Sequence, residues 1–285
     1  MKILIFGSTG YIGTEFCRQL DIKEYEYYTL SSQQFLTVTD LGNALWRYKP
    51  DVIINCSAYT GKTSIEDCES QKKMTIRSNV LFPQSLATIC FDRKILLCHF
   101  STGCLYNGGV TRPFTEDDEP ILTFQNNNCS FYTGTKVMSE QLLRHVTKKY
   151  IWRIRLPFEN VHNNRNYFSK LIKYDRLISA PNSISHKEDL VSACIQCLEK
   201  EVPYGTYHVT NPGYLTAREI TTEMNNRIYG FKKDFRFFDS IEDYNKTRKI
   251  PTSNAVLSVD KLLKTGVKIR PVNESLVETL KHWRW

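Results

Sequence analysis

Two side chains that could move a proton stand one helical turn apart near the middle of the chain. Tyr132 and Lys136 are four residues apart, and this spacing places both on one face of a helix. A nearby ammonium favours the phenolate, which lowers a tyrosine pKa and lets the phenol exchange a proton with a carbonyl or an alcohol. Because such pairs are common, the prediction of carbonyl reduction depends on the elements around them.

A glycine-rich turn near the start of the chain is the first of these elements. Gly7, Gly10 and Gly13 follow a short apolar strand and lead directly into a helix. Small residues let the backbone turn sharply and approach a pyrophosphate at the helix N-terminus. The spacing is one residue longer between the first two glycines than in the Rossmann fingerprint. The turn predicts a dinucleotide site.

The end of the second predicted strand bears on the choice of cofactor. It reads Leu30-Ser31-Ser32-Gln33, without the carboxylate that holds the ribose of NAD. We therefore expect NADPH, with Ser31 and Ser32 as hydroxyl donors, and NADH remains admissible. Asp40 either approaches the adenine or caps a helix.

A hydroxyl and a thiol follow another apolar strand. Ser101, Thr102 and Cys104 come where the run Lys94 to Phe100 ends, at the edge where a parallel sheet presents residues to a ligand. A hydroxyl there can hydrogen-bond the substrate oxygen that Tyr132 protonates.

The composition narrows the class of protein. The 285 residues carry a formal charge of +8 and nine cysteines, which suits an anionic small-molecule partner and a reducing compartment. We expect a cytoplasmic location and no membrane partner, because the sequence has no long apolar run. We expect no nucleic acid partner, since no known motif accompanies the charge. No metal site is expected, because Cys194 and Cys197 lie in an apolar helical run without further ligands.

Strand and helix patterns alternate over residues 1–156, which predicts an α/β fold of the Rossmann type with a doubly wound parallel sheet. The predicted helices include Asp40 to Tyr48, Thr75 to Cys90 and Tyr132 to Thr147. Residues 157–285 are predicted to form a smaller, less regular substrate lobe, interleaved with the end of the first, NADP-binding domain.

Several motifs together resemble the extended short-chain dehydrogenase/reductases that act on nucleotide sugars. These are the glycine turn, Asn55-Cys-Ser-Ala58, Ser101-Thr102 and Tyr132-x-x-x-Lys136. The resemblance is closest to the bifunctional 3,5-epimerase/4-reductases of UDP-L-rhamnose synthesis, through Thr60 to Glu69, Thr75 to Val80, Thr102-Gly-Cys104, Arg155-Leu-Pro157 and Asn163 to Asn166.

The resemblance implies that UDP-4-keto-6-deoxy-D-glucose is epimerised at C3 and C5 and then reduced at C4 by NADPH. Tyr132 would protonate the C4 oxygen, Lys136 would lower the tyrosine pKa and hold the nicotinamide ribose, and Thr102 would orient the carbonyl. For epimerisation the resemblance implies a base and an acid at Cys104 and Lys170, with His162 as the alternative acid.

Candidate binding residues for the sugar nucleotide follow from side-chain chemistry, and further cofactor contacts follow from matched positions in the family. Asn163 and Arg165 are candidates for the sugar nucleotide, because arginine can clamp a diphosphate. The family also admits a homodimer. The further cofactor contacts implied are Thr9, Tyr11, Ile12, Ser57, Ala58, Tyr59, Asn79 and Pro157.

Two alternatives stay open at this point. The first is a monofunctional 4-reductase that receives a dTDP- or UDP-linked sugar already epimerised by another protein. The second is a dinucleotide-binding regulator without catalysis, against which the intact Tyr132, Lys136 and Thr102 argue.

Overall fold

The computed structural model describes residues 1–31, 38–62, 64–126, 128–248 and 252–285. The strands of these residues, in chain order, are β1 (Ile3–Phe6), β2 (Tyr27–Leu30), β3 (Val52–Asn55), β4 (Leu96–Thr102), β5 (Lys149–Ile154), β6 (Pro157–Phe158), β7 (Arg176–Leu177), β8 (Ser185–His186), β9 (Gly205–His208) and β10 (Arg236–Phe237). The α-helices are α1 (Gly13–Ile22), α2 (Val38–Tyr48), α3 (Asp67–Ser70), α4 (Lys72–Ile76), α5 (Phe82–Arg93), α6 (Phe131–Leu142), α7 (Tyr167–Lys173), α8 (Lys187–Glu199), α9 (Ala217–Arg227), α10 (Ile241–Lys246), α11 (Asp260–Lys264) and α12 (Val272–Lys281).

Six strands form one sheet in the order β2-β1-β3-β4-β5-β9, and β1 runs parallel to both β2 and β3. The strand order reverses between β1 and β3, which is where doubly wound sheets bind ligands at the carboxyl ends of their strands. The predicted α/β fold of the Rossmann type is confirmed.

The sheet is stable because its central strands are apolar on both faces. All four residues of β1 and the first three of β3 are buried hydrophobic residues, as expected for strands covered by helices on both sides. One face packs against residues such as Leu41 and Leu86, whereas the rings of Phe16, Phe100 and Trp152 contact one another in a separate aromatic cluster. Each such side chain contributes about 1.5–3 kcal/mol when fully buried.

Several helix boundaries and one helix interior differ from the sequence prediction. The helix expected over Thr75 to Cys90 starts earlier, at Lys72, and is interrupted by a π-helical turn at Arg77–Leu81. The helix expected to reach Thr147 ends at Leu142, where a 3-10 turn (Leu143–His145) leads into β5. Apolar periodicity does not detect such local changes in hydrogen bonding.

The chain divides into two compact units, each built from separate segments. Unit 1 comprises Met1–Thr102, Thr123–Arg153 and Val202–Tyr207. Unit 2 comprises Gly103–Leu122, Ile154–Glu201 and His208–Trp285. Helices α7, α9 and α12 contribute side chains to an apolar core in unit 2 that includes Phe158, Phe168 and Leu276. None of the helices in the described residues is long and apolar enough to span a bilayer.

Candidate active site

The glycine turn of unit 1 is so tight that side chains are excluded from it. Gly7 has a φ of +80°, and a Cβ there would lie 2.7 Å from the backbone nitrogen of Ser57. A Cβ on Gly13 would lie 2.1 Å from the carbonyl oxygen of Gly7. Both positions therefore require glycine, and the backbone of the turn stays open to a close-fitting ligand.

The loop that follows β3 is held beside α6 by Asn79. The Asn79 Oδ1 accepts a 2.7 Å hydrogen bond from the backbone N–H of Tyr59, and its Nδ2 donates to the Tyr59 carbonyl at 3.0 Å. The same Nδ2 donates to the Thr135 hydroxyl at 3.3 Å. Asn79 lies in the π-helical turn, a type of distortion that is frequent at functional sites. Its contacts position the loop Ser57–Tyr59.

Helix α6 carries the predicted tyrosine and lysine, and its start is well defined. The Ser130 hydroxyl caps the helix by accepting from the N–H of Thr133 at 3.1 Å. Glu69 accepts from the N–H of Phe131 at 2.6 Å, which puts a negative charge at the helix N-terminus. Tyr132 is half-buried on the first turn.

Lys136 is buried and hydrogen-bonded to β4. Its Nζ donates to the Phe100 carbonyl at 2.6 Å and lies 3.0 Å from the Nε2 of His99. Burial lowers the Lys136 pKa to about 8, against an opposing effect of the Glu140 carboxylate. Lys136 therefore titrates close to neutral pH.

His99 is a site residue that the sequence analysis missed. The backbone N–H of Ser57 donates to the Asn55 Oδ1 at 3.1 Å, so the Asn55 Nδ2, 3.1 Å from the His99 Nδ1, is the donor to that nitrogen. Burial, then the Lys136 charge, hold the His99 pKa well below its usual value. The neutral imidazole thus carries its proton on Nε2, which lies 3.0 Å from the Lys136 Nζ and 3.1 Å from the Ser139 hydroxyl oxygen. The signal in the sequence that could have identified His99 was its position as a polar residue within the apolar run Ile95 to Phe100.

The end of β4 is fixed by a buried ion pair. Arg153 on β5 donates to both carboxylate oxygens of Glu140, at 2.7 and 3.1 Å. The Ser101 hydroxyl donates to the same carboxylate. Thr102, the next residue, is buried at the carboxyl end of β4. Ser101 has a structural role here, and Thr102 remains the hydroxyl proposed to orient a carbonyl.

In unit 2, Cys104 lies on a 3-10 turn beside a buried arginine. A Cβ on Gly103 would lie 2.6 Å from Leu257, so glycine lets this turn approach its neighbours closely. The Nη1 of Arg155 donates to the Cys104 Sγ at 3.5 Å. Arg155 belongs to a motif quoted for the family resemblance, but sequence reasoning assigned it no role.

Lys170 lies on α7, within electrostatic range of the cysteine. Burial, then the charge of Arg165, lowers the Lys170 pKa, while Cys104 acts in the opposite direction. The alternative acid, His162, is exposed and lies against Trp283 and Trp285. Lys170, Arg165 and Cys104 thus interact electrostatically within unit 2, whereas His162 lies against the two tryptophans.

A cavity of about 490 Å³ lies within unit 2. Its wall includes Tyr244 and Phe238, with the Arg248 and Arg176 guanidinium groups over their rings at 5.4 and 4.3 Å. Burial raises the pKa of Tyr167, another wall residue, to about 12. Two cations among aromatic rings suit an anionic, planar ligand.

The substrate candidates Asn163 and Arg165 occupy a loop next to α7, and neither lines that cavity. Asn163 is exposed, and its Oδ1 accepts from the backbone N–H of Arg165 at 2.8 Å.

The remaining cofactor candidates lie in unit 1, except Pro157, which belongs to unit 2. Ser31 is exposed after β2, and Ser32 lies outside the described residues. Asp40 lies inside the first turn of α2, so the N-cap explanation is wrong, because the helix begins at Val38. Thr9, Gly10 and Ala58 are exposed, whereas Tyr11, Ile12 and Pro157 are half-buried.

Among the described residues, no cluster of three or more His, Cys, Asp or Glu side chains could hold a metal ion.

Comparison with known proteins decides the family. A family model described as the RmlD substrate binding domain matches residues 1–285. The chain belongs to this family. A bifunctional dTDP-4-dehydrorhamnose 3,5-epimerase/dTDP-4-dehydrorhamnose reductase of Arabidopsis thaliana is 30% identical over 284 residues, covering 97% of this chain and 91% of the relative. The family membership relates this RmlD-type chain to the 4-dehydrorhamnose reductases and confirms the predicted resemblance.

A trifunctional UDP-glucose 4,6-dehydratase/UDP-4-keto-6-deoxy-D-glucose 3,5-epimerase/UDP-4-keto-L-rhamnose-reductase of the same plant is 30% identical over 290 residues. The match covers 98% of this RmlD-family chain but only 42% of that relative. The chain thus spans less than half of the length of the trifunctional relatives.

Two solved structures share the RmlD-family fold. The UDP-rhamnose synthase of Acanthamoeba polyphaga mimivirus superimposes with a TM-score of 0.88 at 23% identity, covering 99% of both chains. A dTDP-4-dehydrorhamnose reductase of Bacillus anthracis, solved in complex with NADP, has a TM-score of 0.78 at 18% identity, covering 99% of this chain and 96% of that one.

Proposed function

We propose that this protein is an NADPH-dependent 4-keto reductase and 3,5-epimerase that converts UDP-4-keto-6-deoxy-D-glucose into UDP-L-rhamnose. One observation carries the proposal: the Tyr132–Lys136 pair of a reductase and a cysteine near a lysine, Cys104 and Lys170, occur in the same chain. The choice of UDP is supported by the names of the mimivirus and trifunctional plant relatives.

The cofactor assignment is supported by the glycine turn, where a Cβ at Gly7 or Gly13 would collide with backbone. Such a turn can approach a pyrophosphate closely, and the Bacillus anthracis relative was solved with NADP. When bound, NADPH supplies the hydride for C4. Tyr132 gives its proton to the C4 oxygen, Thr102 orients the carbonyl, and protonated Lys136 stabilises the resulting phenolate.

The epimerisation is proposed to use Cys104 and Lys170 on opposite faces of the sugar. The Cys104 thiolate takes the proton from C3, the S–H bond forms as the C–H bond breaks, and the electron pair moves to the C4 oxygen as an enolate. The Lys170 ammonium then protonates C3 on the other face. The Cys104 thiol then releases its proton to solvent, and the Lys170 amine takes one up. The same steps then occur at C5. The lowered pKa of Lys170 suits a group that releases a proton.

The nucleotide part of the substrate is proposed to occupy the cavity of unit 2. Its volume of about 490 Å³ lies in the range of small-molecule sites. Arg176 and Arg248 supply charge for a diphosphate, and the rings of Phe238 and Tyr244 can stack on a base. Arg165, beside Lys170, remains a second candidate for the diphosphate.

The two half-reactions can be tested separately in single variants. Cys104→Ala should reduce deuterium incorporation at C3 and C5 in D2O by about a hundred-fold or more, while an authentic UDP-4-keto-rhamnose is still reduced. Tyr132→Phe should have the opposite effect, with a comparable loss of NADPH oxidation. Cys129→Ala, at a half-buried cysteine near α6, is the matched control and should retain both activities.

The product identifies the reaction. With UDP-4-keto-6-deoxyglucose and NADPH, NMR should identify UDP-L-rhamnose. A 6-deoxyglucose or 6-deoxygalactose product would reject the epimerase half and leave a monofunctional 4-reductase. Tight cofactor binding without any NADPH oxidation on a panel of nucleotide sugars would instead indicate a regulator.

We further propose a homodimer in the cytosol. Met74, Leu81, Met138 and Leu142 are at least 36% exposed on adjoining helical segments of unit 1, and apolar side chains in such numbers favour a subunit contact. A reducing compartment would also preserve the catalytic thiol. Light scattering of the purified protein measures the mass; a monomer at micromolar concentration contradicts the dimer.

A further inference from the structure

Arg155 is a buried cation whose protein partners within unit 2 are neutral. Its side chain is 2% exposed. Nε and Nη2 donate to the Asn182 Oδ1 at 3.0 and 2.6 Å, and Nη1 donates to the Ser253 hydroxyl at 3.1 Å. No carboxylate among the described residues forms an ion pair with Arg155, and the undescribed residues include no Asp or Glu. A buried charge without a counter-charge costs several kcal/mol.

The neutral partners hold the guanidinium in one orientation. Asn182 is itself fixed, because its Nδ2 donates to the Ala180 carbonyl at 3.2 Å and to the Asn254 Oδ1 at 3.0 Å. Its Oδ1 must therefore face Arg155. The Ser253 hydroxyl in turn donates to the Tyr106 carbonyl at 2.6 Å. The side chain is thus positioned by its surroundings.

One further atom within reach of the guanidinium can become negative. The Cys104 Sγ lies 3.5 Å from Nη1, and a thiolate there would supply the missing counter-charge. The backbone is strained beside it: Leu156 has a φ of +42°, which costs about 1–2 kcal/mol for a residue with a side chain. Strain of this kind persists when the surrounding contacts require it.

We propose that Arg155 is a positioning residue that holds Cys104 as a thiolate and orients its sulfur for proton abstraction from the sugar. The inference rests on the epimerase part of the proposed function. Arginine remains protonated throughout the neutral range and cannot compete for the proton, whereas Lys170 can release one. The two cations near Cys104 therefore have different tasks: Arg155 stabilises the base, and Lys170 provides the acid.

The test compares exchange and reduction in variants of Arg155. Arg155→Gln should slow solvent deuterium exchange at C3 and C5 by about a hundred-fold, whereas reduction of authentic UDP-4-keto-rhamnose stays within about three-fold of wild type. Arg155→Lys, which keeps the charge, should recover part of the exchange. Arg227→Gln, at a surface arginine of α9 paired with Glu223, is the control and should leave both reactions unchanged.

Chemical rescue and direct labelling separate positioning from folding. Guanidinium added to Arg155→Ala at millimolar concentration should raise the exchange rate about five-fold or more by occupying the vacated space. Alkylation of Cys104 by iodoacetamide, followed by peptide mass spectrometry, should be about ten-fold slower in Arg155→Gln than in wild type.

The outcomes distinguish this inference from the proposed function. If Cys104→Ala retains exchange, the assigned base is wrong and the proposed function fails. If Cys104→Ala loses exchange but Arg155→Gln keeps wild-type exchange and alkylation, only the role of Arg155 fails. A third outcome would also overturn the inference: Arg155→Gln and Arg155→Lys both lose exchange and reduction in parallel, and guanidinium does not rescue Arg155→Ala. Arg155 would then be purely structural.

Discussion

At the scale of single residues, burial determines the chemistry of the reductase set. Lys136 is almost fully buried, and it shares a polar chain with His99 and Asn55. The Ser57 N–H fixes the orientation of the Asn55 amide, and the Asn55 Nδ2 donates to the His99 Nδ1. The imidazole proton therefore lies on Nε2, the ring nitrogen that is next to the Lys136 Nζ. Burial lowers the Lys136 pKa, and the groups that contact its Nζ in this polar chain need not touch the substrate.

The buried polar groups around Lys136 predict how the rate of reduction depends on pH. The Lys136 pKa of about 8 implies that the ammonium is present below pH 8 and lost above it, so the reduction rate should fall as the pH rises through this value. His99→Leu removes the donor that favours the neutral amine, and Glu140, paired with Arg153, continues to favour the ammonium. The basic limb of the reduction rate should therefore move to higher pH.

The measurement is kcat for reduction between pH 6 and about 10, in wild type and His99→Leu. Ser139→Ala serves as the control, because Ser139 also contacts the His99 Nε2, at 3.1 Å, but leaves the imidazole in place. A basic limb in His99→Leu that is unchanged, or moved to lower pH, would contradict the proposed control of Lys136.

At the scale of elements, close approaches of backbone explain why particular glycines appear in the motifs. The turn between β1 and α1 folds back on itself, so that Gly13 lies against the Gly7 carbonyl. In the turn after β4, a Cβ on Gly103 would meet the Cδ1 of the Leu257 side chain at 2.6 Å, so that turn lies against a side chain. The backbone contact at Gly13 is the stricter constraint, because backbone has less freedom to move than the end of a side chain.

The glycine turn allows a graded prediction. Gly13→Ala puts a Cβ 2.1 Å from the Gly7 oxygen, whereas Gly10→Ala puts one at 3.1 Å. Gly13→Ala must shift the backbone, so it should weaken NADPH binding by about ten-fold or more and lower the Tm. Gly10→Ala should have a smaller effect on both. Fluorescence titration and thermal unfolding measure both, and equal effects of the two variants would contradict this account of the turn.

At the scale of the whole molecule, the proposed catalytic residues are distributed over the two compact units. Tyr132, Lys136 and Thr102 belong to unit 1, whereas Cys104 and Lys170 belong to unit 2. The chain passes from one unit to the other directly after Thr102. Each unit also has its own apolar core and its own ion pair around a buried carboxylate, that of Glu140 in unit 1 and that of Asp189 in unit 2.

In unit 2 the network is centred on Asp189, at the start of α8. Its carboxylate accepts from Arg270 at 2.9 Å, from Ser275 at 2.7 Å and from Asn211 at 2.8 Å. Burial acts to raise the Asp189 pKa, but hydrogen bonds and charge from His186, Arg270 and Ser275 outweigh it and hold the pKa well below its usual range.

Removing this charge should destabilise the protein. Because the folded pKa is lowered, the stabilisation by Asp189 is present above the unfolded pKa of about 4 and disappears as the pH falls towards the folded value. Asp189→Asn should cost about 1.5–3 kcal/mol at pH 7, because the hydrogen bonds from Arg270, Ser275 and Asn211 lose a charged acceptor, whereas the partly exposed Arg270 stays solvated. Urea unfolding at pH 7 and at lower pH measures the difference, and a cost that persists undiminished in acid would contradict this origin.

The sequence by itself determined the α/β fold and the chemical types at the reductase site. Periodicity, the glycine spacing and the Tyr132–Lys136 pair are local patterns, and local backbone geometry converts them directly into strands, turns and a shared helical face. Only the tertiary structure decided the rest. The contacts of His99 with Lys136 and of Arg155 with Cys104 join residues 37 and 51 positions apart, and neither pairing leaves a periodic signal. Burial, which lowers the pKa of Lys136 and leaves Arg155 without a carboxylate partner among the described residues, arises when distant segments pack together.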